Sequence, residues 1–154
     1  MYTKYNKAMN YDNLKLKNQI CHRLYMASNA MTRVYRPMLA ELDLTYPQYV
    51  VLMALWEKDS IPIQELIEMT GIDAGSLSLM LTKLEKKKII KIHKDKEDKR
   101  KRIINLSEKG LSLKDKALSV PQKMWSCLES LDYENGLKLI ELLDKMNCDL
   151  AKSE

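Results

Sequence analysis

Two short amphipathic stretches meet at a single glycine, and this junction constrains the chain most. In "SIPIQELIEMTGIDAGSLSLMLTKLEKKKII", residues 60–90, Ser60 is an expected cap with Pro62 near a helix start. Ile63, Leu66 and Ile67 supply an apolar face, and Gly71 then breaks the pattern. Glycine adopts positive φ without a Cβ clash, so a tight turn belongs there. Asp73 is the expected cap of the next helix, whose inner side is Leu77, Leu81 and Leu84 at i, i+4, i+7, with Met80 beside them. At 100° per residue the opposite side carries Gly75, Leu79, Thr82, Lys83 and Lys86, flanked by Ser76 and Ser78. Two short helices joined by a Gly turn form a helix-turn-helix, whose second helix enters the DNA major groove.

The next stretch fixes the variant. Ile90 and Ile92 alternate with Lys91 and His93, and Ile104 alternates with Asn105 and Leu106. These read as two strands around the loop "KDKEDKRK", which has no apolar residue. A helix-turn-helix followed by a charged hairpin is a winged helix. From Lys83 to Arg102, eleven Lys or Arg face four acids. The window carries +7 within a chain of net +5, leaving −2 for the rest. That localisation is the footprint of a polyanion partner, against the alternative of a merely solvated lysine face. Ser76, Ser78, Thr82 and Lys83 are placed to meet bases or phosphates. Lys94, Lys96 and Lys99 attract phosphates without reading sequence. Arg100 is the expected minor-groove residue, with Asp98 orienting it through a salt bridge.

Outside this core the chain is helical. Residues 12–43 read as one long helix with a stripe at Leu16, Ile20, Leu24, Ala27, Met31, Val34, Met38 and Leu42, and a bend or break near Pro37. Thr45 and Pro47 open a helix that buries Val50 to Trp56. A helix runs from Ser107 and Gly110 to about Leu128, and a last one from about Tyr133 to Ala151 repeats Ile140, Leu143 and Leu150. The fold class is therefore mainly α with a small β-hairpin wing. Residues 1–45 and 107–154 form dimerisation arms around a winged helix-turn-helix at 46–106. A winged helix closes its own core in fewer residues, and the surplus apolar stripes need a partner, expected to be a second copy, against the alternative of a monomer whose ends pack on their own wing domain. Two-fold symmetry then matches a pseudo-palindromic operator in double-stranded DNA.

Nothing points to a cofactor. The ten methionines are adaptable core fillers. Two isolated histidines and no close cysteine pair point away from zinc. The polar start "MYTKYNKAMNYDN" lacks a signal-peptide core, and no apolar run is long enough to cross a membrane, so a cytoplasmic location is expected. Three widely spaced cysteines do not form a disulfide framework.

The order helix, helix-turn-helix, wing, two helices resembles the MarR family of bacterial transcription regulators. That family's wing signature appears here as Asp98-Lys99-Arg100, then Ile103-Ile104-Asn105-Leu106, then Ser107 to Gly110. A narrower resemblance is to its organic-hydroperoxide-sensing (OhrR-like) branch. It rests on Cys21 and Tyr25 in a Cys-x-x-x-Tyr frame, Tyr35-Arg36-Pro37, Leu44 to Tyr49, and Asp73-Ala74-Gly75-Ser76-Leu77. The resemblance implies that Cys21 is a redox sensor rather than an inert buried thiol.

A sensing cysteine reacts as the thiolate, and tyrosine hydroxyls stabilise the anion by donating hydrogen bonds. Tyr25 is one helical turn from Cys21. Tyr35 shares its face but lies fourteen residues on, roughly 21 Å along a straight helix. It cannot touch the Cys21 of its own chain unless the helix breaks, and it could reach the Cys21 of a second chain if the two first helices cross antiparallel. The resemblance implies that crossing, with Tyr46 joining Tyr35. Ile20, Leu24 and Val50 would favour an organic peroxide. Attack gives a sulfenic acid. The resemblance implies a resolving thiol in a later helix of the partner, for which Cys127 is the candidate, with a low-molecular-weight thiol as the alternative. Cys148 reads as structural. The expected function is a repressor that releases its operator when organic hydroperoxide oxidises Cys21, derepressing peroxide-detoxification genes. The alternatives are a MarR-type regulator responding to a small apolar or phenolic ligand, and a thiol peroxidase. The peroxidase reading lacks a C-x-x-C pair and an α/β pattern, so no enzyme is expected.

Overall fold

The computed structural model describes residues 11–153, so most of the polar N-terminal stretch lies outside the described residues. Two 3₁₀ turns, Tyr11–Leu14 and Leu16–Asn18, precede α1 (Ile20–Ala40) and α2 (Tyr46–Glu57). β1 (Ile61–Pro62), α3 (Ile63–Thr70), α4 (Ala74–Lys86), β2 (Ile90–Lys94) and β3 (Arg102–Leu106) follow. The chain closes with α5 (Glu108–Ala117), α6 (Ser119–Trp125) and α7 (Tyr133–Ala151). It divides into two compact units, Met1–Asp115 and Lys116–Glu154. The architecture is the expected one, mainly helical with a small antiparallel sheet.

The first helix departs from expectation at both ends. It starts at Ile20 rather than residue 12, because Gln19 is extended at φ −97°, ψ 114°. It also runs through Pro37 without breaking. Pro37 costs one backbone hydrogen bond, but the ladder on either side survives. The chain turns only at Asp43, left-handed at φ 54°, where the Leu44 N–H reaches back to the Leu39 carbonyl at 3.0 Å. Lys87, just beyond α4, braces this corner by donating to the Asp43 carbonyl at 2.5 Å and its carboxylate at 3.0 Å.

α2 opens with a capping box. Gln48 N–H donates to Thr45 Oγ1, and Thr45 N–H donates to Gln48 Oε1 at 3.1 Å. Two of the orphan donors of the helix start are thereby satisfied. Val51, Leu52, Ala54 and Leu55 are buried, whereas Val50 and Trp56 are half-buried and Met53 is exposed. The buried stretch is thus narrower than the whole of Val50 to Trp56.

Ser60 does not cap α3. It takes a left-handed conformation at φ 61°, and Ile61–Pro62 form a short strand that pairs antiparallel with Ile103 and Ile104 of β3. Asp59 makes the turn instead, accepting from the N–H groups of Ser60 at 2.7 Å and Leu106 at 2.9 Å. The wing sheet therefore has three strands in the order β1-β3-β2. Its register sets Ile90 opposite Leu106 and Ile92 opposite Ile104. Ile61, Leu66, Leu77, Leu81, Leu84, Ile89, Ile90 and Ile104 are all at most 1% exposed and build the core under the sheet.

The Ser107–Gly110 step joins the sheet to α5. Ser107 Oγ donates toward the carbonyls of Lys88 (2.7 Å) and Ile89 (2.9 Å) and accepts from Gly110 N–H at 3.1 Å. A Cβ at Gly110 would overlap the Ile89 carbonyl oxygen, so only glycine lets α5 start this close to the sheet. The Gly110 carbonyl accepts from Trp56 Nε1 at 3.0 Å.

The single helix expected from 107 to 128 is two helices parted at Leu118. Pro121 has no N–H to give the Ala117 carbonyl, which removes the bond that would span the join. In the second unit, Asp132 caps α7 through the Asn135 N–H at 2.8 Å. The indole of Trp125 lies where a Cβ of Gly136 would stand. Most of the apolar stripe of α7 is open in the single chain: Leu137, Leu139, Ile140, Leu142 and Leu150 are all exposed. α1 buries only Leu39. No helix among the described residues is long and apolar enough to cross a membrane.

Candidate functional site

The residues named from the sequence fall into two groups. The first lies on α1 and α2. Cys21 and Tyr25 sit on the first turns of α1, both exposed, with Tyr25 at 68%. Ile20 is exposed beside them, and Leu24 is half-buried. Tyr35 lies near the other end of the same unbroken helix, about 21 Å along the axis from Cys21. There it stacks against Tyr46 at 4.8 Å between ring centroids and lies 6.1 Å from Tyr49. Tyr49 in turn meets Trp56 edge-on at 6.1 Å. Tyr35 and Tyr46 are thus brought together within one chain, and Cys21 is held away from them.

The setting of these phenols decides their chemistry. Burial, followed by the neighbouring Tyr46 and Tyr49, pushes the Tyr35 hydroxyl up to about 12. Burial and Tyr46 also raise Tyr49. Removing a phenolate from water disfavours it, so these groups stay protonated as hydrogen-bond donors across the ordinary pH range. From the sequence Tyr49 carries only its place in the Leu44 to Tyr49 step, with no role at the site. Its signal was its place one turn after Tyr46 on an apolar helix.

The two later cysteines stand apart. Cys127 is exposed in the turn after α6, its thiol directed at the Lys123 carbonyl at 3.4 Å. Cys148 on α7 is also exposed rather than packed. No group of three or more His, Cys, Asp or Glu among the described residues is arranged to hold a metal ion.

The second group lies on α4 and the wing. Asp73 caps α4 by accepting from Ser76, whose hydroxyl and backbone N–H together hold the carboxyl below its usual range. Thr82 Oγ1 donates back to the Ser78 carbonyl at 2.9 Å. Ser78, Thr82 and Lys94 share one groove of about 270 Å³ between α4 and β2, joined by Glu85, His93 and Arg102. Lys83 faces a different hollow, near the start of α2. Arg100 lies with Lys101 and Arg102 opposite Glu65 and Glu68 of α3.

Asp98 does not reach the Arg100 side chain. Its carboxylate accepts from the Arg100 backbone N–H at 3.1 Å, and it makes no ion pair among the described residues. The tip is organised by Asp95, which the sequence reading passed over. Its Oδ1 accepts from Glu97 N–H and Asp98 N–H, both at 2.8 Å, and these bonds lower its carboxyl below the usual range. Lys96 and Lys99 project from this turn into solvent. Glu85 was also missed. Its carboxylate accepts the outward N–H of Ile92 at 3.2 Å and ties α4 to the wing.

Comparison with known proteins fits this arrangement. Residues 33–117, more than half of the chain, match the family model described as transcriptional regulator SarA/Rot. The chain is 40% identical over 111 residues to the organic hydroperoxide resistance transcriptional regulator of Bacillus subtilis, covering 72% of this chain and 76% of that protein. This chain belongs to the MarR family of winged-helix transcriptional regulators. The HTH-type transcriptional regulator SarZ of Staphylococcus aureus is 33% identical over 135 residues, 84% of this chain and 91% of that one. Among solved structures, reduced AbfR bound to DNA superposes with a TM-score of 0.75 at 28% identity, covering 91% of this chain and 98% of that chain. AbfR is a Staphylococcus epidermidis protein. The present MarR-family chain is therefore a DNA-binding transcriptional regulator.

Proposed function

We propose that this regulator is a homodimeric repressor that senses organic hydroperoxide through Cys21. The observation that carries the reading is the unbroken α1. It holds the Cys21–Tyr25 half of a site about 21 Å from the Tyr35–Tyr46 half. Neither half completes a thiolate site alone. Two chains whose α1 helices cross antiparallel bring each Cys21 to the phenols of the other. The exposed apolar stripes of α1 and α7 supply the surface for that pairing, with residues 1–45 and 107–154 as dimerisation arms around the winged helix.

In the reaction the Cys21 thiolate attacks the terminal peroxide oxygen. An S–O bond forms as the O–O bond breaks, the alkoxide leaves and takes a proton, and Cys21 becomes a sulfenic acid. A second thiol, Cys127 of the partner or a small cellular thiol, then displaces water to give a disulfide. Hydroperoxide carries two oxidising equivalents, and both are consumed in these steps.

Oxidation regulates DNA only if the oxidised dimer spaces its two α4 helices differently from the reduced one. Ser76, Ser78, Thr82 and Lys83 then meet one major groove per half-site. Lys94, Lys96, Lys99 and Arg100 follow the adjacent backbone and minor groove, with Asp98 holding the Arg100 backbone. The test is binding to a duplex enriched from a random pool, with and without cumene hydroperoxide. Wild type is expected to release DNA on oxidation while Cys21→Ser stays bound. Release of Cys21→Ser like wild type would sink the sensing role.

A further inference from the structure

Leu79 is 67% exposed in the middle of α4, on the face opposite the buried Leu77, Leu81 and Leu84. A lone exposed leucine on a surface helix means little. The neighbours of this one give it meaning. One turn earlier lies Gly75, which has no side chain, and Ser76, whose backbone N–H donates to Asp73 at 2.9 Å. One turn later lies Thr82, whose hydroxyl hydrogen goes to the Ser78 carbonyl, and exposed Lys83. Along this line the Thr82 hydroxyl hydrogen is spent within the helix, and only Lys83 carries a charge. The largest exposed side chain on this line between Gly75 and Lys83 is a branched hydrocarbon, four residues before the most positive stretch of the chain begins at Lys83.

In the major groove, base edges offer donors, acceptors and one apolar group, the C5 methyl of thymine. A leucine gains by covering that methyl. Against any other base edge it displaces water and returns no hydrogen bond, which is penalised. We propose that Leu79 is a specificity-determining residue, selecting one thymine in each half-site through contact with its methyl group. This rests on the reading of α4 as the helix that enters the major groove.

The experiment enriches duplexes from a random pool with wild type, Leu79→Ala and Lys83→Ala. Each thymine of the wild-type site is then replaced in turn by deoxyuridine, which lacks only the methyl. Wild type is expected to enrich a thymine at one symmetric position of both half-sites. Loss of that methyl should weaken binding about fourfold per half-site, and about fifteenfold for both, from the worth of one buried methyl-sized group. Leu79→Ala should melt like wild type, lose the thymine preference and ignore the deoxyuridine exchange. Should no exchange affect wild type, or should Leu79→Ala keep both preference and sensitivity while Lys83→Ala binds weakly, the Leu79 role is overturned and the α4 interface stands. Should wild type enrich no sequence and all three proteins bind alike, the α4 interface itself falls and the Leu79 role with it.

Discussion

Replacing Gly110 by alanine tests the junction on which the wing and α5 depend. The added Cβ would overlap the Ile89 carbonyl oxygen and stand 3.0 Å from Leu106 Cδ2. The obstructing atom is backbone, so no rotamer change relieves it. That same oxygen accepts from Ser107 N–H at 3.0 Å and from Ser107 Oγ at 2.9 Å. Moving α5 outward strains both bonds. Overpacking of this kind costs about 1–3 kcal/mol, and two weakened hydrogen bonds add about 2 kcal/mol. The better helix propensity of alanine returns about 1 kcal/mol. The net is a loss of about 2–4 kcal/mol, or roughly 5–15 °C in Tm for a chain of this size. Urea and thermal unfolding followed by circular dichroism, at matched protein concentration, measure it. Trp56 emission should shift in the folded state, because its indole donates to the Gly110 carbonyl. Gly75→Ala is the control: its Cβ meets only the Asp73 side chain, at 3.3 Å, and stability should hold within about 0.5 kcal/mol. A Gly110→Ala protein as stable as wild type, or a Gly75→Ala protein equally damaged, would refute the close-approach argument.

Two further outcomes are expected. Arg100→Ala should weaken operator binding and reduce the slope of log affinity against log salt by about one; an unchanged slope would count against an arginine in contact with the DNA backbone. The Tyr35 hydroxyl, raised from 10.0 to about 12, keeps its proton in the folded chain after the unfolded chain has lost its own. Its contribution to stability is therefore complete below pH 10 and is lost as pH rises through 12. Phenolate absorbance titrated on wild type and Tyr35→Phe should show one late-ionising group missing from the variant, and identical curves would remove the buried-phenol assignment.

Much of this was legible in the residues because the periodicities are strong and the punctuation is local. Gly71, Asp73 and the Thr45–Gln48 box lie where side-chain chemistry alone sets a helix end. The departures have non-local causes. Whether Pro37 breaks α1 depends on what the flanking turns gain by staying helical. Ile61–Pro62 became a strand because β3 had a free edge, which two residues cannot announce. Asp98 appeared as an ion-pair partner from its spacing, whereas its carboxylate is satisfied by a backbone N–H that the folded tip presents. The stacking of Tyr35 on Tyr46 required the turn at Asp43, which no motif encodes.

The unbroken α1 has a genetic consequence. If each pocket takes its sulfur from one copy and its phenols from the other, an allele carrying Cys21→Ser and an allele carrying Tyr35→Phe are defective in complementary halves. Expressed together, their mixed dimers contain one pocket with both lesions and one with neither. Co-expression should restore part of the response that each allele alone has lost, a rescue that a pocket built within a single copy has no means of producing.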